Sequence, residues 1–163
     1  VAALALHKVL EGLGVADISL KWPNDVLVGG RKLAGILLAS APGVIVVGVG
    51  VNLVAAPHPA SLPDDALAPI SLNEILHSPP DAETFLTLLA NAFLGFETQM
   101  RQFGFAPLRS AWLAHAARLG EVIQARLPAR TESGTFETID ETGALVLRTA
   151  KGRLTLAAAE VFF

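Results

Sequence analysis

The chain has 163 residues, 52% of them hydrophobic and 17% charged, and a net charge of -3. That is enough apolar sequence for one domain of ordinary size with a small appendage. The acidic balance argues against a surface that coats nucleic acid, and the lack of cysteine excludes a disulfide framework and a thiolate metal site, a composition compatible with a reducing cytoplasm.

In chain order, Val1 to Leu13 carries apolar residues at helical spacing (Leu4, Val9, Leu10, Leu13), and Gly12 and Gly14 supply a stop. The pattern is already under way at Val1, with no methionine and no charged leader ahead of it, so an N-terminal part is expected to be missing. Ile18 to Trp22 and Asp25 to Val28 read as short strands around a Pro23-Asn24 turn, and Gly29-Gly30 reads as a hairpin turn. Arg31 to Ala39 and Val44 to Leu53 follow as an antiparallel pair. Residues 33–56 are apolar enough to raise the question of a membrane span. Pro42-Gly43 breaks the run, Val and Ile dominate its second half, and Gly48 and Gly50 alternate, so two strands are expected and no membrane partner.

Residues 55–70, with four prolines, read as a loop. Ser71-Leu72-Asn73-Glu74 has capping-box spacing and predicts a short helix. Asp81 caps a predicted long helix to about Phe103, whose stripe of Phe85, Leu88, Leu89, Ala92, Phe93, Phe96 and Met100 is read as core packing. Leu108 to Leu119 gives another helix, containing Trp112. From Gly120 the pattern changes to four short strands, at 121–127, 134–140, 144–149 and 153–157. Frequent turns between short strands predict a small β-barrel. The fold class expected is therefore α+β, a mixed or antiparallel sheet with packed helices followed by the barrel. The units are residues 1–117 and 118–163.

Three blocks break the rules of an ordinary core strand. Along Val44 to Leu53, a period of two puts Gly48, Gly50 and Asn52 on one face, and Ile45, Val47, Val49, Val51 and Leu53 on a core face. The glycine face suits a flat ligand with Asn52 at its polar edge; it suits equally a bulge or a tightly packed helix. Lys32 opens an otherwise apolar strand. It can snorkel to solvent, or it can aim a cation at phosphate or carboxylate oxygens. Strict alternation sets Lys32 and Gly35 on opposite faces, so either a twist or bulge intervenes or only one of them meets a ligand. Asn24-Asp25 after proline is a common turn, yet Asp25 can also orient or deprotonate an attacking amine. Trp22 is read as core or pocket wall. The four histidines are scattered without ligand spacing, so no metal site is expected. Gly48-Val49-Gly50 leads to a strand end and not into a helix, which rules out a dinucleotide-binding turn.

Taken together, Lys21-Trp22-Pro23-Asn24-Asp25, Lys32-Leu33-Ala34-Gly35-Ile36-Leu37 and Gly48-Val49-Gly50-Val51-Asn52 resemble the three ordered motifs of the biotin protein ligase catalytic domain. The later helices and the small barrel match that family's order of elements, including its SH3-like C-terminal domain. The resemblance implies a ligase that uses biotin, ATP and Mg2+ to form biotinyl-5'-AMP. It then transfers biotin to a lysine of the biotin carboxyl carrier domain of acetyl-CoA carboxylase. Carried over, Lys32 contacts the biotin carboxylate and the adenylate phosphate. Gly35, Gly48 and Gly50 form the biotin floor, Asn24 and Asn52 serve the adenylate, and Asp25 acts on the acceptor lysine. The implied setting is cytoplasmic, with a homodimer admitted and no nucleic acid bound by this stretch. The family's Gly-Arg-Gly-Arg-type phosphate loop has no counterpart here, and Ala39 stands where an acidic residue is common. The chain by itself is therefore expected to bind biotin weakly and turn over little. The alternatives are a ligase-like binding protein without catalysis and a relative acting on lipoate or octanoate.

Overall fold

A computed structural model describes residues 1–63 and 65–163; residue 64, within the predicted 55–70 loop, lies outside them. The order is α1 (Ala2–Gly12), β1 (Ile18–Lys21), β2 (Asp25–Val28), β3 (Arg31–Ala41) and β4 (Val44–Val51). Then come α2 (Ala82–Phe103), α3 (Phe105–Ala114), β5 (Val122–Arg126), β6 (Thr131–Ile139), β7 (Leu145–Thr149), β8 (Gly152–Leu156) and β9 (Glu160–Phe162). The fold is α+β. Strands β1 to β4 form an antiparallel meander, and the later strands form a second antiparallel sheet in the order β8-β7-β6-β5-β9. Among the described residues no helix is long and apolar enough to cross a membrane.

Local chemistry explains most element boundaries. Gly29 and Gly30 both adopt positive φ, +56° and +73°, and close the β2–β3 hairpin between the paired Val28 and Arg31. Two consecutive left-handed residues suit the twist of a two-residue hairpin, and glycine reaches them without a Cβ clash. Asp81 caps α2 by accepting from the Thr84 amide at 2.8 Å. The predicted capping box at Ser71 and Glu74 is formed, but it starts only a single 3-10 turn, Leu72–Glu74. That segment is held instead by the two residues that follow β4: the Leu72 amide donates to Asn52 O and the Asn73 amide to Leu53 O.

One face of the first sheet is the main core. Leu4, Leu6 and Leu10 of α1 meet Leu20, Val26 and Leu33 of the sheet and Phe85, Leu89 and Leu108 of the later helices. A second core fills the small sheet, from Ile123, Phe136, Leu145, Leu147 and Val161. Trp22 belongs to this second core although it lies in the β1–β2 turn, and its indole Nε1 donates to Gly143 O at 3.0 Å. The first sheet is also tied to the segment that leads from α3 to the second sheet, where Leu20 N donates to His115 O and Ala117 N donates to Leu20 O. Arg109 of α3 adds donations to Ile139 O and Thr138 Oγ1, at 2.6 and 2.9 Å.

Several expectations need correction. The helix predicted over 108–119 runs over Phe105–Ala114. Gly104, at φ +74°, separates it from α2, and residues 115–117 leave the helix to pair with β1 at Leu20. The small sheet has five strands rather than four: β9 returns to pair with β5. Three residues offer too little alternation for a strand signal, so only the pairing reveals it. β6 begins at Thr131, earlier than predicted, because Leu127 and Arg130 close a shorter turn. In α2, Phe85 and Leu89 are buried as read, but Leu88 and Met100 are each 39% exposed. Ile45 is likewise exposed, whereas Val47, Val49, Val51 and Leu53 pack against the main core. The β3–β4 ribbon and α2 both extend beyond the apolar surface that the other elements offer them.

Candidate functional site

The site grows from cross-strand pairing. Asp25 opens β2 opposite Gly35 of β3, and Gly35 lies opposite Gly50 of β4. Asp25, Gly35 and Gly50 therefore form a row across three strands. Gly48 lies one step along, opposite Leu37. A Cβ on Gly35 would meet Lys32 Cε at 3.4 Å and Asp25 Oδ1 and Lys32 Nζ at 3.5 Å. A Cβ on Gly50 would meet nothing closer than 3.9 Å. The glycine row is thus a bare floor with the charged groups at its rim.

Lys32 reaches this floor through a bulge. In the β2–β3 register Val26 pairs with Ala34 but Leu27 pairs with Lys32, which leaves Leu33 as an extra residue. The extra residue reverses alternation. Of the two possibilities read from the sequence, the bulge is the one present, and Lys32 and Gly35 share a face. Leu33 itself is fully buried in the main core.

Asp25 is buried and lies between two ammonium groups. Lys32 Nζ is 2.6 Å from Asp25 Oδ1, and Lys21 Nζ is 3.5 Å from Oδ2. The Lys21 side chain is 9% exposed and that of Lys32 42%, so one cation is enclosed and the other faces solvent. Two positive groups against one carboxylate leave the cluster one charge positive, which suits an anionic ligand.

A cavity of about 600 Å³ opens over the cluster, lined by Lys21, Asp25, Lys32, Gly35, Gly50 and Asn52 among others. The returning loop, including Pro57, Leu62 and Leu67, forms one wall, and Glu160 to Phe162 of β9 with the adjoining Phe163 form another. The loop is clipped to β3 where Lys32 N donates to Ala68 O and Ile70 N donates to Lys32 O. Arg126 of β5 joins the two walls: its guanidinium is 2.5 Å from Asp65 and 3.7 Å from Glu160, and it stacks over Phe162 at 4.1 Å.

Five of the seven residues singled out from the sequence line this cavity: Asp25, Lys32, Gly35, Gly50 and Asn52. Asn24 and Gly48 line an adjoining depression that shares Asp25, Lys32, Gly35 and Gly50. The Asn24 amide donates to Ile36 O at 2.7 Å, so its nitrogen is engaged in holding the turn onto β3. The Asn52 amide donates to Ile70 O at 3.0 Å and Lys32 O at 3.4 Å. Its nitrogen is thereby occupied by two backbone carbonyls. Sequence reasoning missed Lys21 as a site residue, although its four-residue offset from Asp25 across a turn was a usable signal. It also missed the wall at Phe162 and Phe163, which depends on the short strand β9. Among the described residues no three His, Asp or Glu gather as a metal site.

Known proteins share this fold. The biotin/lipoate A/B protein ligase family matches residues 1–54, and the biotin protein ligase C terminal domain matches residues 119–163. A biotin--[acetyl-CoA-carboxylase] ligase of Paracoccus denitrificans is 50% identical over 171 residues, covering all of this chain and 71% of that protein. The bifunctional ligase/repressor BirA of Bacillus subtilis is 29% identical, covering 98% of this chain and 50% of its own length. The biotin protein ligase of Aquifex aeolicus solved with biotin and ATP superposes with a TM-score of 0.81 at 22% identity, over 99% of this chain and 68% of that one. The chain belongs to the biotin protein ligase family, whose members of that name are ligase enzymes.

Proposed function

We propose that the protein works as a biotin--[acetyl-CoA-carboxylase] ligase, with residues 1–117 contributing the catalytic unit and 118–163 the SH3-like domain. The observation that carries this reading is the Lys32–Asp25 ion pair standing over the Gly35–Gly50 floor. A flat bicyclic ligand such as biotin needs a floor without side chains. Its carboxylate needs a cation at the end of that floor, and Lys32 stands there. The family relationship and the relatives' names support the choice of biotin over lipoate or octanoate.

In the first half-reaction a carboxylate oxygen of biotin attacks the α-phosphorus of ATP, pyrophosphate leaves, and biotinyl-5'-AMP forms. Magnesium enters with ATP as part of that substrate. Lys32 offsets the charge that gathers between the carboxylate and phosphate oxygens. Asn52 Oδ1 accepts from the adenine amine, Asn24 keeps the turn in place, and Gly48 continues the floor beside Gly35 and Gly50. In the second half-reaction the carrier lysine gives a proton to Asp25, and its free amine attacks the biotin acyl carbon. The N–C bond forms, the C–O bond to phosphate breaks and AMP leaves; the nitrogen gives up its second proton as it becomes an amide, and both protons pass on to solvent. The partner is the biotin carboxyl carrier domain, and the use of ATP and a carboxylase subunit sets the reaction in the cytoplasm. The open edge of β4, where Val44, Ile45 and Val46 are exposed, is the surface for a homodimer.

The test is incubation of the full-length protein with biotin, Mg-ATP and an apo carrier domain. A biotin-sized mass gain on one carrier lysine is expected. A folded protein that yields neither pyrophosphate nor modified carrier overturns the reading.

A further inference from the structure

Lys21 is a buried charged group of the cavity to which the proposed reaction assigns no part, whereas Asp65 and Glu160 stand in the exposed walls. It pairs in register with Asp25 across the β1–β2 turn, its side chain is 9% exposed, and its ammonium lies 5.9 Å from the Phe163 ring centroid. Burial of an ammonium is costly and calls for a partner. Asp25 is that partner, yet Asp25 already has Lys32 at 2.6 Å. One carboxylate needs only one cation to be balanced, so the second asks for a reason.

The two lysines differ in freedom. Lys21 sits on a paired strand end under an aromatic ring, whereas Lys32 is half-exposed beside the Leu33 bulge and extends over the floor. They also use different oxygens: Lys32 takes Oδ1 and Lys21 takes Oδ2. A ligand phosphate over the floor draws Lys32 away, which frees Oδ1 while Oδ2 stays held. We propose, building on the ligase reading above, that Lys21 is a positioning residue that keeps the Asp25 carboxylate aimed at the incoming carrier amine once Lys32 has turned to the adenylate. The charge balance fits: two ammonium groups, one carboxylate and the singly charged acyl phosphate of the adenylate sum to zero. Without Lys21 the loaded site carries an uncompensated negative charge, and Asp25 is free to follow Lys32.

The experiment measures single-turnover transfer from preformed biotinyl-5'-AMP on the full-length protein, to the apo carrier domain and to hydroxylamine. Hydroxylamine is small and already neutral, so it needs no carboxylate to accept a proton or set its approach. Lys21→Met keeps the apolar stem and removes the charge; Lys21→Arg keeps the charge. Lys21→Met is expected to slow carrier transfer at least about tenfold more than it slows hydroxylamine transfer, as loss of an oriented proton acceptor should. Lys21→Arg should restore most of the difference. In an Asp25→Asn background, Lys21→Met should add no further selective loss, because the group it positions is gone. Equal slowing of both nucleophiles, or additive losses in the double variant, overturns the positioning role. If Asp25→Asn slows carrier transfer and Lys21→Met does not, Lys21 alone loses its part. If Asp25→Asn has no effect either, the assignment of Asp25 falls with it. Should Lys21→Met alone fail to fold, two comparisons still decide: carrier-selective loss in Lys21→Arg relative to wild type, or in the double variant relative to Asp25→Asn, counts against the proposal.

Discussion

Two substitutions separate chemistry from folding at the single residue. Lys32 is half-exposed and its side chain adds little to the core, so Lys32→Ala should leave the melting temperature nearly unchanged. The loss of its charge near the transferring phosphoryl group should slow adenylate formation on the order of 10²–10³-fold. Near-normal pyrophosphate release at saturating ATP would reject that role. Gly35→Ala tests the floor. The new methyl meets Lys32 and Asp25 side-chain atoms at 3.4–3.5 Å, ordinary contact distances that the fold can absorb. A ligand lying on the glycine row cannot absorb it in the same way. Biotin affinity should fall at least about tenfold, about 1.4 kcal/mol, while the thermal melt stays close to wild type. Calorimetry that finds unchanged affinity would move the ligand off this row.

At the level of elements, α1 and the end of α3 meet through a histidine pair. His7 is buried in α1, and its ring lies 3.8 Å, centroid to centroid, from that of His115. Burial pushes the His7 imidazolium below the usual histidine range; repulsion from a charged His115 lowers it further, and Glu11 on the same helix raises it in part. The unfolded chain therefore binds the proton more readily than the folded one. Stability from this contact is present above the ordinary histidine pKa of about 6.5 and is lost as pH falls below it. Thermal melts between about pH 7.5 and pH 5.0 should show a decline on acidification that is shallower in His7→Gln. Parallel profiles for the two proteins would remove His7 from the account.

Across the whole molecule, Trp22 joins the halves. Its turn belongs to the first sheet, its ring to the core of the second, and its indole N–H to Gly143 O. Trp22→Ala should cost about 3–5 kcal/mol, because a large buried side chain leaves a cavity shared by two sheets. Trp22→Phe should cost less, with about 1 kcal/mol for the lost hydrogen bond beyond the packing change. Denaturant titration measures both; equal and small effects would mean that the small sheet docks without this side chain. The same docking sets the cavity, since Phe162 and Phe163 form a wall and Arg126 links them to the loop at Asp65. Loosening it should also weaken nucleotide binding.

The chain order of helices and strands was legible because it rests on local signals: the Gly29-Gly30 turn, the Asp81 cap, and alternation along β3 and β4. The three motif blocks were legible for the opposite reason, since lysines, an Asn-Asp pair and alternating glycines have no purpose in an ordinary apolar strand. Alternation alone set Lys32 and Gly35 on opposite faces, and only the pairing of β3 with β2 shows the bulge that reunites them. Nothing local told that Asn52 donates to Ile70 O, that Trp22 belongs to a distant core, or that the chain's last strand walls the site. Those facts depend on which strand lies beside which and in what register. Residues far apart in the chain decide that together, by burying their apolar faces and satisfying their backbone hydrogen bonds at once.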